Sequence, residues 1–303
     1  MANGQRWKSV NPVSIFSPAK LNLFLAVTGP RPDGYHDLVM LAAPLEWGDV
    51  LSAEAADEFS LACDDPAVPV DESNLVLKAA RAFRSATGWP GGAKFVLAKR
   101  IPIGAGLGGG SSNAVAALRA LNQLAGGGWD EAALGSMAAK LGSDCPLFLS
   151  EGPVVARGRG ELTEPVPPSA AARLHGRRVA VFKPGFAVAT AWAYGRMRAA
   201  SESYIAASAA EAKLAAWLED RSAAAEELLF NNMEGPVFEK FAALPAMLEW
   251  LRRDFGLAPR MSGSGSACFA LLPAQGGPEF AALAAAIRLA WGESAFVMET
   301  RLS

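Results

Sequence analysis

Residues 99–113 read Lys99-Arg100-Ile101-Pro102-Ile103-Gly104-Ala105-Gly106-Leu107-Gly108-Gly109-Gly110-Ser111-Ser112-Asn113, with five glycines in the seven positions 104–110 and an alanine-rich run directly behind them. A residue without a Cβ takes positive φ freely and lets backbone N–H groups close on a ligand. A helix starting behind such a loop adds unpaired N–H donors and the positive end of its dipole. The segment therefore asks for a strand that delivers it, a helix that receives it and an anion between them. It reads as a phosphate cradle.

Several cradles share such glycines. Gly104-Ala105-Gly106-Leu107-Gly108-Gly109 spells the dinucleotide pattern GxGxxG, with Asp130 about 20 residues further on. The context disagrees. Residues 99–103, Pro102 among them, separate the first glycine from its strand, and Asp130 follows three glycines and Trp129 to open a helix rather than close a strand. A Walker A loop fails because Gly110 stands where its lysine belongs. A flexible linker leaves Pro102 and the Ser-Ser-Asn run unexplained. A phosphate loop without its own lysine takes cationic help from a distant Lys or Arg or from Mg²⁺.

A chain of 303 residues makes one large or two medium domains, and 51% hydrophobic residues supply ample core. A net charge of −2 gives no electrostatic case for nucleic acid or an anionic membrane as partner. Residues 1–8 lack the apolar core of a signal peptide, and no apolar run reaches the ~18 residues of a spanning helix. Cys63, Cys145 and Cys268 are odd in number and far apart, which argues for a reducing cytoplasm over a disulfide framework. Two histidines and no CxxC pair make a zinc site improbable.

Periodicity and turn chemistry predict strands over 13–28, 38–50 and 94–98, with a turn at 29–34 and a loop over 57–70. Helices are expected over 74–86, over 111–125 with Ser111 or Ser112 as N-cap, and over 130–141 between Asp130 and Gly142. The proline-rich stretch 164–168 is the best boundary between domains. Beyond it come a strand at 178–183, amphipathic helices near 190–200, 209–228 and 236–254, a second glycine loop at 262–266, a strand at 267–272, and a last helix and strand. No internal repeat is present.

Three more segments supply what the loop lacks: Ser17-Pro18-Ala19-Lys20-Leu21-Asn22-Leu23, Leu141-Gly142-Ser143-Asp144-Cys145-Pro146-Leu147-Phe148 ahead of an expected apolar strand, and Arg260-Met261-Ser262-Gly263-Ser264-Gly265-Ser266. In this order and spacing they resemble the three motifs of the GHMP small-molecule kinase superfamily, which includes galactokinase and the homoserine, mevalonate and phosphomevalonate kinases. Arg31-Pro32-Asp33-Gly34-Tyr35-His36, the triple glycine 108–110, Gly158-Arg159-Gly160-Glu161 and Phe230-Asn231-Asn232-Met233-Glu234 are similar to one branch of it. The acceptor of that branch is a cytidine diphosphate-linked methylerythritol, on the non-mevalonate route to isoprenoid precursors. The resemblance covers nearly the whole chain.

It implies a two-domain α+β protein: a ribosomal protein S5 domain 2-like ATP-binding domain over 1–165, a ferredoxin-like domain over 166–303, and an active site in the cleft between them. It implies ATP and Mg²⁺, transfer of the γ-phosphoryl group to the 2-hydroxyl of the acceptor, a cytoplasmic setting, and no nucleic-acid or membrane partner. By the same resemblance Asp144 is the general base, and Lys20 orients it and keeps it ionised or stabilises charge on the transferring group. The residues alone also allow a turn-capping Asp144 and a Lys20 that reaches for solvent from a strand end. A buried lysine, however, calls for a carboxylate nearby.

Asn22 is expected to touch substrate. Pro102, Ile103, Gly104, Ala105, Gly106, Leu107, Gly108, Gly109, Gly110, Ser111 and Ser112 are expected to wrap the ATP phosphates, with Ser112 the one side chain considered for Mg²⁺. The 263–266 loop approaches the active site or is a plain hairpin turn. Tyr35 packs on the cytosine and His36 reads its edge. Tyr194 falls where the family carries a second stacking aromatic, with Trp192 as the alternative and a core role open to either.

Overall fold

The computed structural model describes residues 11–303; the expectation about residues 1–8 lies outside them. In chain order the elements are β1 (Val13–Pro30), β2 (His36–Ala56), β3 (Ser60–Cys63), α1 (Leu75–Thr87), β4 (Gly92–Ala98), α2 (Gly109–Leu124), α3 (Glu131–Leu141), β5 (Val154–Arg157), β6 (Leu162–Pro165), α4 (Pro168–Leu174) and β7 (Arg178–Lys183). There follow α5 (Thr190–Ala199), α6 (Ala207–Glu219), α7 (Ala225–Leu228), β8 (Phe230–Asn231), α8 (Glu234–Phe238), α9 (Ala243–Phe255), β9 (Arg260–Met261), β10 (Cys268–Leu271), α10 (Phe280–Trp291) and β11 (Phe296–Arg301). They form two compact units interleaved along the chain. Of the described residues the first holds 11–19, Gly48–Ile101 and Gly108–Leu149; the second holds Lys20–Trp47, Pro102–Leu107 and Ser150–Ser303.

In the first unit the later half of β2 pairs antiparallel with β4, Val50 opposite Ala98, and β3 runs parallel to β4. Strand alternation buries Ala93, Phe95 and Leu97 of β4 on one face, and α1 and α2, packed against each other, bury Val76, Leu77, Phe83, Val115 and Leu118. Asn74 caps α1 through the Val76 N–H, and Gly88 ends it at φ 69°. Asp130 caps α3 through the Ala133 N–H, with Gly142 as its C-cap.

Three expectations are corrected here. The 57–70 loop contains β3, because Leu61 pairs with Phe95 and is drawn onto the sheet. Helix α2 starts at Gly109 with Gly108 as its N-cap at φ 73° and no side-chain cap. Ser112 cannot serve there because its hydroxyl accepts from Ser17 Oγ at 2.8 Å, inside the core. The apolar run after Asp144 is a 3-10 turn, Cys145–Leu149, rather than a strand. A short apolar run is equally suited to either when it is buried all round.

In the second unit the first half of β2 pairs antiparallel with β5, and β5 with β6. The later half of β1 lies parallel to β8, Phe24 opposite Phe230. A second, antiparallel sheet has the order β11-β7-β10-β9 and buries Val179, Val181, Phe182 and Phe269. Two expected helices are broken. The first, at 209–228, becomes α6 and α7, because Asp220 Oδ1 accepts from the Ser222 N–H and hydroxyl in a side-chain turn. The second, at 236–254, becomes α8 and α9, because Pro245 is accommodated in the first turn of a new helix rather than inside an old one.

Candidate active site

Lys20 and Asn22 lie two apart on β1, between the buried Ala19, Leu21 and Leu23, so both point to the opposite face of the strand. They are only 4% and 3% exposed. A buried ammonium and a buried amide need partners. Lys20 Nζ donates to Asn22 Oδ1, while Asn22 Nδ2 donates to Met40 Sδ at 3.1 Å and Asn22 N to Ser262 Oγ at 3.3 Å. The polar atoms of Asn22 are thus turned to Lys20, Met40 and the second glycine loop.

Both glycine-rich segments of the second unit close on this pair by backbone. Lys20 N donates to Leu107 O at 3.0 Å, Ala267 N to Ala105 O at 3.0 Å, and Ser262 Oγ to Gly106 O at 3.3 Å. A Cβ on Gly106, at φ 77°, would run into the Ser262 carbonyl oxygen. A Cβ on Gly263, at φ 60°, would sit 3.2 Å from Asn22 Oδ1 and 3.6 Å from Lys20 Nζ. Glycine is required at both places by close approach as well as by φ. The 262–266 segment is therefore a hairpin connection between β9 and β10 and also a wall of the lysine site. Asn231 holds it by donating from Nδ2 to Met261 O at 2.8 Å and Gly263 O at 2.9 Å, and Glu234 Oε1 accepts from Met261 N at 2.8 Å. Burial pushes the Glu234 carboxyl above its ordinary range.

The first unit carries the helix side of the glycine loop, Gly108 to Ser112, and Asp144. Asp49 is fully buried and accepts from Lys99 Nζ and Arg100 N, each at 2.6 Å, from Ile101 N at 2.8 Å and from Asn113 Nδ2 at 2.9 Å. Asn113 Nδ2 also donates to Ser17 Oγ at 2.8 Å. One carboxylate thus ties the end of β4, the entry to the loop and the first turn of α2. Lys99, the lysine nearest the loop, is committed to it and to Ile101 O at 2.6 Å.

Asp144 sits in the turn after α3, which the Cys145 N–H closes on Gly142 O at 3.1 Å. Burial pushes the adjacent Cys145 thiol up to about 11; the Asp144 charge adds to this, and a hydrogen bond with Ser111 opposes it. That bond puts the Asp144 turn beside the N-terminal turn of α2. Ser112 is 1% exposed, and its hydroxyl accepts from Ser17 Oγ at 2.8 Å.

The aromatic candidates gather in the second unit. His36 is 4% exposed, with the Tyr194 ring centroid at 5.0 Å and Tyr204 at 5.9 Å. Burial, reinforced by the Arg198 charge, holds its pKa below the ordinary value. Tyr35 is half-exposed, and the Arg159 guanidinium lies 4.8 Å from its ring centre. The turn carrying Tyr35 is fastened by Arg198 Nη2 donating to Gly34 O at 2.9 Å. Trp192 packs edge-on to Phe241 at 5.2 Å, under Lys240, so Tyr194 is the one that meets His36.

Sequence reasoning missed Tyr204 and the Asp49 network, and it named Asn231 within a family segment without giving it a role. The segment 45–51 carries two carboxylates, Glu46 and Asp49, and the sequence alone does not say which is buried. Among the described residues no cluster of three His, Cys, Asp or Glu side chains is placed to hold a metal, and no helix is long and apolar enough to cross a membrane.

Residues 74–152 match the model of the GHMP kinases N terminal domain, and residues 207–290 that of the GHMP kinases C terminal. The chain is 41% identical over 271 residues to the 4-diphosphocytidyl-2-C-methyl-D-erythritol kinase of Synechococcus sp. (strain CC9902), covering 86% of this chain and 87% of that one. It is similar to a crystal structure of 4-(cytidine 5'-diphospho)-2C-methyl-D-erythritol kinase at TM-score 0.74 and 36% identity, over 96% of this chain and 100% of the other. Homoserine kinase from Cytophaga hutchinsonii shares the fold at TM-score 0.67 and 20% identity, over 97% of this chain and 95% of that one.

Proposed function

The chain belongs to the GHMP kinases, in the family of 4-diphosphocytidyl-2-C-methyl-D-erythritol kinases, and from that membership we infer the reaction it performs. It moves the γ-phosphoryl group of ATP to the 2-hydroxyl of 4-diphosphocytidyl-2-C-methyl-D-erythritol, in the non-mevalonate route to isoprenoid precursors. Its fold is the two-domain α+β fold of that superfamily, with mixed sheets. The observation that carries the reading is Lys20, buried on β1 with the backbone of two glycine loops closed around it.

Phosphoryl transfer passes through a loose transition state, so positioning and neutralisation of charge do most of the catalysis. Residues 102–112 offer backbone N–H groups and the first turn of α2 to the ATP phosphates. Lys20 neutralises charge that builds on the transferring group, and Asn22 acts through Lys20 by holding its ammonium. Asp144 takes the proton of the 2-hydroxyl, which is worth ~10²–10⁴-fold. Tyr35 and Tyr194 flank the cytosine, and His36 reads its edge.

Mg²⁺ would arrive on the nucleotide, held by its phosphate oxygens. When bound there it neutralises phosphate charge, and no step above runs through it. Residues 1–165 are the ATP-binding domain and 166–303 the C-terminal domain. The cytoplasmic setting and the lack of nucleic-acid or membrane partners belong to the same proposal.

An ADP-release assay tests it. ADP should appear with ATP and the cytidyl substrate, and not with homoserine or mevalonate. Release with either of those alone overturns the substrate assignment. Asp144→Asn should lower kcat by ~10²–10⁴-fold with KM little changed; near wild-type turnover would remove Asp144 as the base.

A further inference from the structure

Tyr204 lies outside every segment to which the motifs assign a role, yet it makes the one side-chain hydrogen bond His36 has among the described residues, Oη to Nε2 at 3.0 Å. Its position is built rather than incidental. Asn232 Nδ2 donates to Ser203 O at 2.9 Å and to Val27 O at 2.8 Å, and Ile205 N donates to Val27 O at 3.4 Å. Both neighbours of Tyr204 are therefore fastened, Ser203 through Asn232 and Ile205 directly to β1, and Tyr194 confines the imidazole further.

A neutral imidazole has one donor and one acceptor nitrogen, and the partner of one decides the role of the other. Burial and the Arg198 charge favour the neutral form of His36. A phenol O–H is a good donor, while its oxygen, conjugated with the ring, is a weaker acceptor than an imidazole nitrogen. These strengths favour a bond from Tyr204 O–H to the Nε2 lone pair, the direction that leaves the ring proton on Nδ1.

We propose that Tyr204 is a specificity-determining residue that fixes the Nδ1–H tautomer of His36, so that the pocket offers an N–H donor to the base. Cytosine N3 is an acceptor and takes that donor; uracil N3 carries a hydrogen and opposes it. Acting through His36, the Tyr204 hydroxyl thereby selects a cytidine over a uridine diphosphate substrate. The proposal rests on the reading of His36 as the residue that meets the base.

Two measurements separate the proposal from that reading. The first is the histidine tautomer in the ¹⁵N-labelled free protein, by long-range ¹H–¹⁵N correlation. With two histidines in the chain, a His175→Gln variant assigns the signals, and His175 serves as internal control of folding in Tyr204→Phe. The expected result is Nδ1–H for His36 in the wild type and a shift toward Nε2–H in Tyr204→Phe. An Nε2–H wild type, or an unchanged tautomer in Tyr204→Phe, overturns the proposal.

The second is the ratio of kcat/KM for the cytidine and uridine diphosphate-linked substrates, expected to fall about tenfold in Tyr204→Phe, as for loss of one hydrogen bond. A shifted tautomer with an unchanged ratio overturns the selectivity role. If His36→Ala leaves the ratio unchanged as well, the fault lies in the reading of His36 itself.

Discussion

Asp49→Asn is the sharpest test of how the phosphate loop is held. The substitution keeps size and shape but replaces one carboxylate oxygen by an NH₂ group. Oδ2 accepts from Lys99 Nζ and Asn113 Nδ2, and Oδ1 from the Arg100 and Ile101 N–H groups. Whichever way the new amide turns, its NH₂ faces donors, and Lys99 Nζ is left with Ile101 O as its acceptor among the described residues. The side chains of the pair are 7% and 0% exposed, so water does not rescue it. Breaking a buried ion pair from one side costs roughly 3–5 kcal/mol, against a total stability of about 5–15 kcal/mol for a typical protein.

Urea unfolding is the assay, with the slope checked for constancy before midpoints are compared. Asp49→Asn should lose about 3–5 kcal/mol. The double variant Asp49→Asn/Lys99→Met should lose less than Asp49→Asn alone, by about 1–3 kcal/mol, because the orphaned charge is gone. In protein that remains folded, KM for ATP should rise more than KM for the acceptor, because Asn113 and the loop entry share this carboxylate. A single variant within about 1 kcal/mol of wild type, or a double variant with strictly additive loss, would falsify the account of Asp49 as the hub.

Gly263→Ala should cut kcat at least tenfold, because its Cβ meets Asn22 Oδ1 and crowds Lys20; Gly88→Ala, at a similar φ of 69° with nothing near its Cβ, should lose a comparable ~1–2 kcal/mol of stability and no activity. Equal kinetic losses in the two would show that backbone strain alone is responsible. For His36 the folded pKa lies below the unfolded value of about 6.5, so the unfolded chain binds the proton first as pH falls. Its contribution is full above about pH 6.5 and is lost below it, so the urea midpoint should drop more steeply between about pH 7.5 and 5.5 in wild type than in His36→Gln; parallel curves would refute this. Cys145 and Cys268 are buried with thiols pushed up, and Cys63 is half-exposed. A thiol reagent near neutral pH should therefore titrate Cys63 alone in the native protein and all three cysteines after unfolding, and rapid modification of Cys145 in the native state would contradict the packing at the Asp144 turn.

Legibility from sequence followed the range of the interaction. Asn74, Asp130, Gly88 and Gly142 act on their own helices within a few residues, and their chemistry marks those ends in the sequence. The start of α2 was missed because its cause is not local: Ser112 is drawn to Ser17, 95 residues away, which leaves Gly108 as the cap. Alanine-rich composition hid the breaks within 209–228 and 236–254, since helix propensity is as high on one side as on the other. The signals that would have found them, Asp220 two before Ser222 and Pro245, are single residues whose effect outweighs a whole window of propensity.

The site divides along the same line. Lys20 and Asp144 were legible through the family motifs that surround them, because taken alone each residue also fitted a bland role, a lysine reaching for solvent and an aspartate capping a turn. Asp49 shares its segment with Glu46, and the sequence says neither which of the two is buried nor that Lys99 and Asn113 answer Asp49. Tyr204 sends no signal: a tyrosine after a short turn is unremarkable until a histidine 168 positions earlier is seen at its hydroxyl. A charge set within a family motif is visible in one dimension, whereas the uncharged group that decides a proton's position on a neighbour is visible only in three. The Tyr204→Phe tautomer measurement therefore bears on more than one residue. If His36 keeps its proton on Nδ1 without the phenol, its orientation is inherent in β2 and the Arg31–His36 turn, and specificity here was legible from that segment after all.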